Sequence, residues 1–242
     1  MPELRAGVIG VGYLGNFHAD KYRRIPGVRL VGLADTDFGR ATEISERYNV
    51  DAYSDYKALL PKVDIVSIVV PSGVHYEVAK HCLSAGIHCL VEKPLTENVA
   101  EANELVELAR DTKIVLQVGH LERFNPVIRK VSGLITAPHK IRTRRFSRHQ
   151  PRGTDTDVIL DLMIHDLDIV LSLSNSEVIG VQATGATVVT DYIDIANARV
   201  SFKDGLVAEL QASRVSAETI RDTEIYCQNR KYVLNFLTHE AK

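Results

Sequence analysis

From residue 6 to residue 119 the chain alternates two hydrophobic patterns. Short unbroken apolar runs occur at "AGVIGVG" (6–12), "VRLVGLAD" (28–35), "VDIVSIVV" (63–70), "IHCLVE" (87–92) and "KIVLQVG" (113–119). Their length and Val/Ile content are those of strands buried on both faces. Between them, residues 13–24, 37–47, 74–85 and 97–110 carry apolar positions at helical spacing. Gly86, after "KHCLSA", marks a helix stop ahead of a strand. Strand–helix alternation predicts right-handed crossovers and a parallel sheet covered by helices on both faces.

After about residue 120 the pattern changes. "NPVIRKVSGLI" reads as a helix with Pro126 just inside its start. "KIRTRRFSRH" (140–149) reads as a strand with Lys140, Arg142, Arg144 and Arg148 on one face. Those cations suit either a diphosphate or carboxylate ligand, or an edge strand protected by charge. Extended segments near 177–189, 194–202, 206–215, 219–227 and 230–237, with turns such as "KDG" (203–205), predict mostly antiparallel pairing. The class is α/β: a parallel-sheet domain over 1–120, then an α+β domain with a mostly antiparallel sheet over 121–242.

One apolar stretch carries charge where a core helix should not. In "VILDLMIHDLDIVLSL" apolar residues cover most of the helix circumference, yet Asp161, His165 and Asp168 stand at i, i+4 and i+7, with Ser172 extending the line. Either that line faces a cavity, or His165 is hydrogen-bonded to Asp161 in a satisfied core network. A histidine held by a carboxylate is also a good general base, its ordinary pKa of about 6.5 lying near working pH. A metal on Asp161, His165 and Asp168 would lack a clear further ligand.

Gly10-Val11-Gly12-Tyr13-Leu14-Gly15 fits G-x-G-x-x-G at a strand-to-helix junction, where glycine lets backbone approach a pyrophosphate and the helix start supplies N–H groups. Asp35 ends the second predicted strand, where a carboxylate accepts both adenosine ribose hydroxyls and repels a 2′-phosphate. The pair predicts a Rossmann dinucleotide-binding domain for NAD, with NADP disfavoured. Asp37 competes for the ribose but also suits a helix N-cap. Lys93 in "VEKPL", preceded by Glu92, and Ser72 and His75 in "PSGVH" lie just past strand ends, the edge at which such sheets bind ligands. Taken alone, these are a solvated lysine, a helix cap and a surface histidine.

Composition narrows the partners. The net charge of −2 gives no electrostatic reason to expect nucleic acid or an anionic membrane. No apolar run reaches the roughly 18 residues of a membrane span, and no signal-peptide pattern opens the chain. Three cysteines, at 82, 89 and 227, cannot all pair, which fits a reducing cytoplasm.

"GVIGVGYLG", Asp35, "PSGVH", "VEKPL" and "DLMIH", in this order and spacing, resemble the Gfo/Idh/MocA family of sugar and cyclitol oxidoreductases, over essentially the whole chain. The resemblance implies that Lys93, Asp161 and His165 form the catalytic group, with His165 as base. It further implies that Gly10, Gly12, Tyr13, Leu14, Gly15, Asp35, Ser72, His75, Glu92 and Lys93 line the NAD site. A small-molecule sugar substrate and a homodimer or homotetramer are also implied. Family members are usually longer, so a second domain shortened at its C-terminal end is expected. "GHLERFNPVIRKV" (119–131) resembles a sugar-nucleotide branch, which implies the 3-hydroxyl of UDP-N-acetylglucosamine as substrate and places Arg123 and Asn125, with His165, on the substrate side. Another polyol, or a non-catalytic NAD-binding sensor, stays open as an alternative.

Overall fold

The structure, a computed structural model, describes residues 3–149 and 156–242. The chain divides into two compact units, Met1–Gly119 and His120–Lys242.

The first unit runs β1 (Leu4–Ile9), α1 (Tyr13–Tyr22), β2 (Val28–Ala34), α2 (Phe38–Tyr48), β3 (Asp51–Tyr53), β4 (Ile65–Ile68), α3 (His75–Ser84), β5 (His88–Val91), α4 (Val99–Thr112) and β6 (Leu116–Val118). All six strands pair in parallel in the order β3-β2-β1-β4-β5-β6. The chain leaves β1 toward β2 on one side and resumes at β4 on the other, so the sheet switches direction beside β1. Ligands bind at such a switch, outside the carboxyl ends of the strands. The unbroken apolar runs are explained by burial on both faces: Ala6 and Val8 of β1 join one core with Leu33 and Ile44, while Ile9 joins another with Ile68 and Leu83. The runs overshoot the strands at their carboxyl ends, because Gly10–Gly12 and Glu92 belong to the adjoining loops. β3, three residues long, is too short to carry a period.

The second unit contains α5 (Pro126–Val131), β7 (Lys140–Phe146), a π-helical turn (Ile159–Met163), α6 (Ile164–Leu173), β8 (Val178–Ala186), β9 (Ile195–Phe202), β10 (Val207–Ser213), β11 (Ile220–Cys227), β12 (Arg230–Asn235) and β13 (Glu240–Ala241). The sheet order is β13-β12-β11-β7-β10-β9-β8, antiparallel throughout except for the β7–β10 pair. One core joins Ile141, Val200, Phe202, Leu210, Ile225 and Leu234 of the sheet to Val127, Ile128 and Val131 of α5 and Ile169 and Val170 of α6.

β7 is central, which corrects the edge-strand expectation; among the described residues the edges are β13 and β8. Its cations are neutralised by neighbouring strands. Lys140 meets Glu209 at 2.9 Å, Arg142 lies 3.5 Å from Glu209 and 3.6 Å from Glu224, and the Arg144 Nε–H donates to Asp222 at 3.0 Å. Cross-strand pairing thus accounts for Lys140, Arg142 and Arg144, while Arg148, past the end of the strand, donates to the Ala217 carbonyl at 3.0 Å. Arg145 points the other way, into the core, and donates to Asp166 of α6 at 2.8, 3.1 and 3.1 Å. Burial pushes the Asp166 carboxyl up, against the pull of the Arg145 guanidinium.

Candidate active site

The glycine motif opens α1 as its spacing predicts. Gly10 has φ +85°, and a Cβ there would lie 2.3 Å from the Val69 carbonyl oxygen. At Gly15 a Cβ would lie 1.9 Å from the Gly10 carbonyl oxygen, so the helix packs against the loop only without a side chain. Gly12 differs: a Cβ would meet nothing within 4 Å. Packing does not require glycine at that position. What it keeps clear is space at the start of α1, a helix with no side-chain cap and no acid in its first turn. An uncapped helix start with open space before it is suited to an anion. Tyr13 and Leu14, in that first turn, are largely exposed.

Asp35 comes directly after β2. Its Oδ2 accepts the Val11 N–H at 2.9 Å and its Oδ1 the Asp37 N–H at 2.9 Å, so the carboxylate is fastened to the glycine loop. Asp37 caps α2, accepting the Arg40 N–H at 3.0 Å. The residues present fit a dinucleotide: an open glycine cradle at a helix start, and a carboxylate at the end of the adjoining strand.

Lys93 is half-buried just past β5, and the Lys93–Pro94 peptide is cis. Its neighbours differ from expectation. Glu92 is buried; its Oε1 lies 3.1 Å from His18 Nε2 and its Oε2 accepts the Lys93 N–H at 3.3 Å. His75 is not a surface residue. It is 1% exposed, with Nδ1 2.7 Å from the Pro94 carbonyl oxygen and Nε2 2.8 Å from that of Val70. Both ring nitrogens face backbone carbonyl oxygens. Ser72, half-buried, donates to Glu97 at 2.9 Å. Sequence reasoning missed His18, although the buried positions Gly15, Ala19 and Tyr22 of α1 define a face on which His18 also falls.

In the second unit Asp161 sits within the π-helical turn and His165 one residue into α6, both half-buried. The Ile164 N–H reaches back five residues, to the Ile159 carbonyl. One residue too many in a turn rotates the helix before it against the helix after it, so the regular stacking of Asp161 over Asp168 fails here. Single π turns of this kind are frequent at functional sites. Asp168 is instead clamped by Arg123, whose Nε and Nη2 donate at 2.6 and 2.7 Å. The guanidinium occupies the place a cation would need, which removes Asp168 from the metal alternative. The same carboxylate raises the pKa of Arg123, chiefly through those hydrogen bonds. Asn125 takes the helix-start role: its Oδ1 accepts the Val127 N–H at 3.1 Å, and its Nδ2 donates to Glu122 at 3.2 Å. These bonds use one N–H and one oxygen lone pair of that side chain.

Residues 4–120 match the family model described as an oxidoreductase family with an NAD-binding Rossmann fold, and residues 128–233 match the GFO/IDH/MocA C-terminal domain. The chain is 42% identical over 240 residues to UDP-N-acetylglucosamine 3-dehydrogenase of Acidithiobacillus ferrooxidans, covering 99% of this chain and 76% of that protein. A solved structure of UDP-N-acetylglucosamine 3-dehydrogenase from the same organism superposes with a TM-score of 0.94 at 41% identity, covering 100% of this chain and 80% of the other. Myo-inositol 2-dehydrogenase of Thermotoga maritima is 30% identical over 87% of this chain and 69% of its own length.

Proposed function

The chain belongs to the Gfo/Idh/MocA family of NAD-binding oxidoreductases, and on that premise we propose that it oxidises a secondary hydroxyl of a sugar nucleotide, the 3-hydroxyl of UDP-N-acetylglucosamine. The reading rests on 42% identity, across 99% of the chain, to a dehydrogenase named for that reaction. Gly10, Gly12, Tyr13, Leu14 and Gly15 hold the pyrophosphate, Asp35 holds the adenosine ribose, and Ser72 adds a hydroxyl to the same edge of the sheet. NAD, when bound, supplies the hydride acceptor. His165 takes the hydroxyl proton on an imidazole nitrogen. Asp161 orients that ring and stabilises its protonated form. Lys93 donates a hydrogen bond to the hydroxyl oxygen and stabilises the negative charge that grows there. Arg123, half of its side chain exposed beyond the Asp168 clamp, stands on the substrate side. The three cysteines are free and no described helix is long and apolar enough to cross a membrane, which supports a cytoplasmic enzyme. As in the family at large, we assign it a homo-oligomeric state.

The test is absorbance at 340 nm with NAD and a panel of UDP-sugars and free polyols. NADH produced with UDP-N-acetylglucosamine and not with inositols is the expected result. Turnover of inositols alone would transfer the reading to a polyol, and NAD binding without turnover of any member would make the chain a sensor. Asp35→Ala should weaken NAD binding and narrow the preference for NAD over NADP, as read by titration with each cofactor. An unchanged preference would remove Asp35 from the ribose site.

A further inference from the structure

The strand ladder that carries β5 ends just before the lysine. The Glu92 N–H still donates to the Ile68 carbonyl at 3.0 Å, but the Lys93 N–H turns to the carboxylate of its own neighbour, and Pro94 has no N–H to give. From this point the segment is held by side chains, and two of them are histidines from different helices, His75 buried and His18 half-buried.

His18, on α1, meets Glu92 Oε1 at 3.1 Å through Nε2. Its Nδ1 lies 3.0 Å from the Ser67 hydroxyl of β4, which in turn lies 2.8 Å from the Tyr22 hydroxyl. The Glu92 carboxylate, pressed against Gly119 where a Cβ would approach within 2.8 Å, is therefore fixed on two sides before it receives the Lys93 amide. His75, at the start of α3, acts on the other flank. It joins the Pro94 carbonyl to that of Val70, beyond the end of β4. A carbonyl oxygen only accepts, so each contact is a hydrogen bond where the facing ring nitrogen carries the proton. Packing alone asks for none of this. An apolar residue would fill each place without the cost of burying polar atoms.

We propose that His18 and His75 are positioning residues for Lys93, gripping Glu92 and Pro94 from opposite flanks so that the lysine backbone stays in one place. The proposal rests on the assignment of Lys93 to the reaction. A lysine ammonium rides on a flexible four-carbon stem, so its aim depends on where its Cα is held. Displacements of the order of 1 Å at a reacting group cost about 100-fold in rate.

The test combines turnover with an observable that needs no activity. His18→Leu and His75→Leu should each lower kcat by about 10- to 100-fold, with KM for UDP-N-acetylglucosamine and the NAD dissociation constant within about twofold of wild type. Hydrogen exchange at the Lys93 amide should speed up in both, and His18→Gln, which can still donate to Glu92, should recover most of the loss. In a Lys93→Ala background, adding His18→Leu should change kcat no further, because both act through one group. Losses that multiply independently, or unchanged kcat and unchanged exchange in the histidine variants, would overturn the proposal. Should His75→Leu fail to fold, His18→Leu and Glu92→Gln carry the same measurements. Near-normal turnover in Lys93→Ala would instead retire the assignment of the lysine, and the exchange data would still decide whether the histidines hold its segment.

Discussion

Replacing His165 with alanine will lower turnover at least about 100-fold while NAD affinity stays within about twofold of wild type. General-base assistance contributes about 10²–10⁴-fold, and the lower bound applies if water partly replaces the imidazole. His165 stands one residue beyond a π-helical turn that contains Asp161, on a helix whose other two aspartates are bound to arginines. It is the histidine of that helix. The measurement is initial rate at saturating NAD and sugar nucleotide, with cofactor binding titrated separately. Near-normal turnover would place the proton acceptor elsewhere. A large loss of NAD affinity would mean that the ring serves the cofactor instead.

Asp166→Ala will destabilise the second unit by about 3–5 kcal/mol, because it strands a guanidinium in the core. Arg145 and Asp166 are each 3% exposed as side chains, and the next carboxylate, that of Glu122, stands 3.8 Å from the guanidinium, too far to replace the lost bonds. Replacing both members together with apolar residues of similar volume should cost far less than the single change, since it removes the stranded charge along with its partner. Urea unfolding of the two variants, followed by a probe in the second unit, distinguishes these outcomes. A single variant within about 1 kcal/mol of wild type would mean that the guanidinium finds water or Glu122 after all.

The same contrast between local and distant signals separates the legible parts of the sequence from the illegible ones. The strands of the first unit could be read because burial on two faces leaves an unbroken Val/Ile run, and the glycine motif because its chemistry is contiguous. β7 could be read as a strand, and its cations as sharing one face, from alternation alone. Its central position could not, since partners at Glu209 and Glu224 lie far along the chain and local alternation carries no record of them. The helix pattern around Asp161 and His165 was visible, but the extra residue of the π turn leaves no mark on apolar spacing. Asp168 was therefore placed in line with them rather than with Arg123. His75, read as a cofactor contact or else a surface histidine, was not read as a core residue because the groups it faces are backbone carbonyls, which no side-chain pattern announces.

The parallel pairing of β7 with β10 has a consequence for how the chain is made. β7 is synthesised first among the sheet strands of its unit, yet both its neighbours, β10 and β11, come later, the nearer beginning about 60 residues downstream. At roughly 5–20 residues per second on the ribosome, the strand waits about 3–12 s with neither edge covered. Nascent chains halted in that interval expose the middle of a sheet whose flanks do not yet exist, and it is there that a holdase would have the most to protect.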